Sequence, residues 1–116
     1  MKMAIVTGAA RGIGLATARL FVDKGYQEAM VDRDRDALAA AAASLAGGTA
    51  FVCDVSDPVA VDEMVAAVMA VSERIDCLVN NAGVAEFCSI EDTSYERWRI
   101  VMATNLDGVY LCSRAV

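Results

Sequence analysis

Residues able to do chemistry gather at a few short stretches, the first being Thr7-Gly8-Ala9-Ala10-Arg11-Gly12-Ile13-Gly14. It follows the apolar run Met3–Val6 and opens a helical pattern that continues to Phe21. Strand, glycine-rich turn and helix start together form an arrangement that binds phosphate. Glycine permits φ > 0 and lets a ligand come close to the backbone. The free N–H groups and dipole of the helix start favour an anion. Gly8, Gly12 and Gly14 follow G-x-x-x-G-x-G, not the more general G-x-G-x-x-G dinucleotide spacing. Alone, such a turn also serves simply as a link between strand and helix.

Asp32 comes eighteen positions after Gly14, close to the spacing at which an acidic residue meets an adenosine ribose. Its carboxylate is suited to a ribose diol and would repel a 2′-phosphate carrying about −1.5 to −2 charges. Arg11 and Arg33, close by in sequence, soften that repulsion. NAD is therefore expected ahead of NADP, although a polar strand end needs no ligand to explain it. Asp54 and Asn80-Asn81-Ala82-Gly83 close two further apolar runs. Paired asparagines lock loops through side-chain bonds to backbone, and Gly83 allows close approach. Asn105 lies on the apolar stripe of a helical pattern, where its amide requires a partner. A satisfied core asparagine or a local kink explains it without catalysis.

Elements must carry these residues to one place. Strands are expected at Met3–Val6, Glu28–Val31, Thr49–Cys53 and Asp76–Val79, each short, apolar and closed by a polar or glycine-containing turn. Between them lie helical patterns. The first places Ile13, Ala16, Thr17, Leu20 and Phe21 on one face and ends at Gly25. The second runs from Arg35 to Leu45, with Leu38, Ala41, Ala42 and Leu45 inward. The third starts at Ser56-Asp57-Pro58, where a cap precedes a first-turn proline, and runs to about Arg74 with Val61, Met64, Val65, Val68 and Ser72 inward. Val84–Asp92 reads as a loop. Thr93-x-x-Glu96 reads as a capping box for a last helix carrying Trp98, Val101, Met102, Asn105 and Val109 on one stripe. Glu28 is expected at a strand entry, reaching solvent. Strand–helix alternation without hairpin signals implies a doubly wound parallel α/β (Rossmann) sheet, with strand order 3-2-1-4 and later strands missing.

The chain has 116 residues, 57% hydrophobic, with mean hydropathy +0.43, a formal charge of −6 and a pI near 4.4. This suits one packed domain and argues against nucleic acid as a partner. Four cysteines without C-x-x-C spacing, and no histidine, give no metal site and favour a reducing compartment, the cytoplasm. No apolar run is long enough to span a membrane.

On these residues the chain resembles the short-chain dehydrogenase/reductase family over nearly its whole length. Thr7–Gly14 matches the TGxxxGIG cofactor turn, Ile13 included, and Asn80–Gly83 matches the NNAG motif. The resemblance implies that Asp54 and Val55 contact adenine, and that Asn81, Ala82 and Gly83 support the sheet beside the adenosine ribose. Asn105 corresponds to the asparagine of an Asn-Ser-Tyr-Lys catalytic tetrad, whose backbone carbonyl would hold a water in a proton relay. The activity implied is hydride transfer between NAD(P) and a small alcohol or ketone, a 3-oxoacyl thioester being one option. The family also implies a homodimer or homotetramer packed through the helix from about Ser94.

Family members run to roughly twice this length. Neither Tyr95 nor Tyr110 has a lysine four residues on, so Tyr-x-x-x-Lys is absent, and so is the serine of the tetrad. The domain is therefore expected to be the cofactor-binding N-terminal half of such an enzyme, without turnover by itself. A non-catalytic nucleotide-binding module or fragment is the alternative.

Overall fold

A computed structural model describes residues 1–116. Four parallel strands form one sheet: β1 (Met3–Thr7), β2 (Gln27–Asp32), β3 (Gly48–Val52) and β4 (Cys77–Val79), in the order β3-β2-β1-β4. Ile5 of β1 lies opposite Ala29 of β2 and Leu78 of β4. β1 is buried along its whole length because both faces are covered, which is why it reads as an unbroken apolar run. Helices α1 (Gly12–Asp23) and α2 (Arg35–Ala43) cover one face around Val6, Met30, Ala18, Leu38 and Ala41. On the other, α3 (Pro58–Ser72) and α5 (Gly108–Ala115) enclose Ile5, Ala29, Val31, Val61, Met64, Val68 and Cys112. No helix is long and apolar enough to cross a membrane.

The strand order is the expected one; the helix faces are not all so. In α1, Ile13 is 78% and Leu20 57% exposed, while Gly14 and Ala18 are buried with Leu15 and Phe21 packed beside them. Small residues let the helix approach the sheet; of the expected face, Phe21 keeps its contact with the core while Ile13 and Leu20 turn outward. In α3 the inward set is Val61, Met64, Val65 and Val68, with Ser72 half-buried. This helix stops at Ser72 because Glu73 adopts a left-handed conformation, φ 63°.

The last helix departs further from its periodicity. α4 (Tyr95–Met102) buries no residue and passes through a π-helical turn, Ala103–Asp107, into α5. The wider turn inserts about one residue and rotates the residues beyond it about the helix axis. Val109, beyond the turn, is consequently exposed, as Trp98 is within α4, while Thr104, Gly108 and Cys112 form the buried line. A Cβ on Gly108 would lie 2.7 Å from Val55 Cγ2. The α4 cap is Ser94, whose hydroxyl accepts from the Arg97 amide at 3.1 Å; Thr93 instead donates to the Ser89 carbonyl at 2.8 Å. Glu28 overturns its expectation outright. It is fully buried, with both carboxylate oxygens unpartnered.

Candidate functional site

The carboxyl ends of all four strands open into one cleft of about 270 Å³. β1 delivers Gly8 and, in the turn beyond, Arg11; β2 delivers Asp32 and Arg33. β3 leads into Asp54 and Val55, and β4 into Asn81, Ala82 and Gly83. Nine of the expected residues thus share a wall. Gly12, Ile13 and Gly14 stand outside it as the first turn of α1, and Asn105 lies behind Val84. Sequence reasoning missed Val31, Cys53, Val84 and Thr104 in the same wall. None carries a charge or falls at a motif spacing, and adjacency to Asp32, Asp54, Gly83 and Asn105 was the available signal.

The turn holds its shape for two separate reasons. A Cβ on Gly14 would collide with the Gly8 carbonyl oxygen and lie 2.6 Å from Asn81 Nδ2, so that glycine serves the protein's own packing. Gly12 has φ +58°, and a Cβ there would meet nothing within 4 Å. Its outer side is open. Next to it the N-terminus of α1 has no side-chain cap, leaving first-turn N–H donors without protein partners. The turn itself is anchored from β4. Thr7 Oγ1 accepts from the amides of Asn81 at 3.0 Å and Ala82 at 2.9 Å. Asn81 Nδ2 donates in return to the carbonyls of Thr7 at 3.1 Å and Gly8 at 3.3 Å.

Asp32 is oriented by backbone alone. Oδ2 accepts from the Ala10 amide at 3.2 Å and Oδ1 from the Asp34 amide at 3.0 Å. A carboxylate has about four acceptor positions, so capacity remains toward the cleft. Arg11 pairs instead with Asp34, Nη2 to Oδ2 at 2.6 Å. Hydrogen bonding to Arg11, then to the Ala37 amide, holds the Asp34 carboxyl below the usual range. Asp54 closes a short turn by accepting from the Ser56 hydroxyl at 2.7 Å and amide at 3.0 Å. Those bonds lower its pKa, with a smaller contribution from Arg33. Burial, reinforced by Cys112, Asp54 and Asp57, pushes the Cys53 thiol up to about 12, so this wall cysteine is no nucleophile.

Asn105 has found its partner: its Oδ1 accepts from the Val84 amide and its Nδ2 donates to the Val84 carbonyl, both at 2.8 Å. The amide clamps the loop after Gly83 to the π-turn.

A crevice at the carboxyl ends of parallel strands, beginning at a glycine turn, is where open α/β sheets take ligands. The model of one protein family, described as short chain dehydrogenase, matches residues 2–116. The chain belongs to the short-chain dehydrogenase family. It is 43% identical over 119 aligned residues to D-threitol dehydrogenase from Mycolicibacterium smegmatis, covering 99% of this chain and 46% of that protein. It is 38% identical to an NADP-dependent (R)-specific alcohol dehydrogenase from Lentilactobacillus kefiri, covering 97% of this chain and 46% of that protein. Among solved structures, 3-ketoacyl-(acyl-carrier-protein) reductase from Brucella melitensis, crystallised with NADH, superposes with a TM-score of 0.94 at 32% identity. That match covers 97% of this chain and 47% of the reductase. The chain thus spans about half the length of the relatives it matches.

Proposed function

We propose that residues 1–116 form the dinucleotide-binding part of an oxidoreductase that uses NAD, with NADP the weaker ligand. One observation carries the reading: an uncapped helix start beside the open side of Gly12 joins a cleft whose next strand end presents Asp32 without a cation partner. The donors of Gly12, Ile13 and Gly14 suit a pyrophosphate. Asp32 suits the adenosine ribose, Asp54 and Val55 suit adenine, and Asn81, Ala82 and Gly83 hold the sheet end beside them. Arg33 lines the same wall. The bound nicotinamide would exchange a hydride with an alcohol or carbonyl carbon. Asn105, its side chain spent on Val84, would contribute its main-chain carbonyl to proton movement.

The named relatives differ in cofactor, one being NADP-dependent and the solved reductase complexed with NADH, so the preference rests on Asp32. A small alcohol or ketone as substrate, and not nucleic acid, agrees with the relatives' names and the acidic balance. Four free cysteines suit the cytoplasm, and the exposed face of α4 suits a homodimer or homotetramer. Titration with NADH and NADPH at fixed ionic strength is expected to show tighter NADH binding. Asp32→Ala should narrow the difference about tenfold, the change expected for roughly 1.4 kcal/mol. Tighter NADPH binding to the unmutated protein would refute the assignment of Asp32.

A further inference from the structure

Two cations line the cleft, Arg11 and Arg33, and only Arg11 is paired: its Nη2 lies 2.6 Å from Asp34 Oδ2. Asp34 is itself fixed. Its Oδ1 accepts from the Ala37 amide at 3.1 Å, capping α2, and its own amide donates to Asp32 Oδ1 at 3.0 Å. The second carboxylate oxygen is therefore presented to Arg11 by the start of a helix rather than by a freely moving side chain. Arg11 immediately precedes Gly12, and Asp34 follows Asp32 by two residues. The same short network thus joins the residue next to the open turn with the residue at the ribose position. A guanidinium near that position is what accommodates a ribose 2′-phosphate.

We infer that Asp34 is a positioning residue for cofactor choice: by holding Arg11 it denies that guanidinium to a 2′-phosphate, so that Asp32 and Asp34 discriminate against NADP together. The inference rests on the dinucleotide site proposed above. Arg11 and Asp34 are both partly exposed, and exposed ion pairs are weak, so the effect is several-fold, roughly fivefold, and not orders of magnitude. Asparagine caps a helix about as well as aspartate, so Asp34→Asn removes the negative charge that holds Arg11 while keeping the start of α2.

The test is calorimetric titration of the purified protein and its variants with NAD and NADP, together with thermal unfolding midpoints. Asp34→Asn should raise NADP affinity relative to NAD by at least threefold, with its midpoint close to that of the unmutated protein. In an Arg11→Met background the same substitution should leave the ratio unmoved, because the two residues act through one another. Asp34→Ala separates the two duties, lowering the midpoint through the lost cap while shifting the ratio as asparagine does. A rise below threefold in Asp34→Asn, or one that persists without Arg11, overturns the inference while leaving the NAD site standing. If neither dinucleotide binds the unmutated protein, the site proposal fails and takes this inference with it.

Discussion

Glu28 lies within β2, opposite Ala4 of β1 and Gly48 of β3. No water reaches it and neither carboxylate oxygen has a hydrogen-bond partner. Ionising such a group is costly. Burial accordingly pushes its pKa up to about 8, against an opposing influence of the Val6 amide, which is outside hydrogen-bond geometry. The folded protein therefore keeps a proton that the unfolded chain releases from about pH 4.5 upward. Stability contributed by this site is thus complete in acid and declines as pH rises toward 8. Over pH 5 to 7.5 the decline amounts to about 3 kcal/mol. Glu28→Met, similar in volume and without charge, should be stabilising and should remove that slope. Urea midpoints measured across this range would show it, and parallel profiles for the two proteins would contradict it.

At the scale of elements, helix approach is set by small residues. Gly108 packs so closely on Val55 that any side chain there must displace it. Gly108→Leu should cost about 1–3 kcal/mol through overpacking and weaken nucleotide binding, because Val55 also lines the cleft. Denaturant unfolding and a nucleotide titration on one preparation check both effects; an unchanged stability would remove the packing argument. The same feature marks what could be read from the chain. Doubly covered parallel strands appear as apolar runs, and their polar or glycine endings mark the crevice, so the strand order and nine wall residues were legible. Helix faces were less so. Hydrophobic periodicity favours Ile13 and Leu20, whereas contact with the sheet belongs to Gly14 and Ala18. It also assumes a uniform turn, which Ala103–Asp107 breaks. Glu28 misled for a different reason, since charge in a sequence signals solvent unless the three-dimensional cover is known.

Taken whole, the molecule measures 49 × 25 × 21 Å, and α4 buries none of its residues. Tyr95 is 74% and Ile100 59% exposed, with Trp98, Leu106 and Tyr110 also turned outward. Apolar surface concentrated along one helix favours self-association. Sedimentation should find dimers or larger species at micromolar concentration, and Ile100→Lys should shift them toward monomer. A monomer at all concentrations would contradict the proposed pairing through the helix from Ser94. The anchoring of Thr7 by Asn81 and Ala82 has its own consequence. Those partners stand 74 and 75 positions away along the chain, and closing such a loop carries an entropic cost before any bond compensates for it. The glycine turn therefore cannot mature as a local unit with β1, α1 and β2. Its final shape waits for β4 to dock, which places the assembly of the cleft late in folding and makes the capacity to hold a nucleotide a property of the completed sheet.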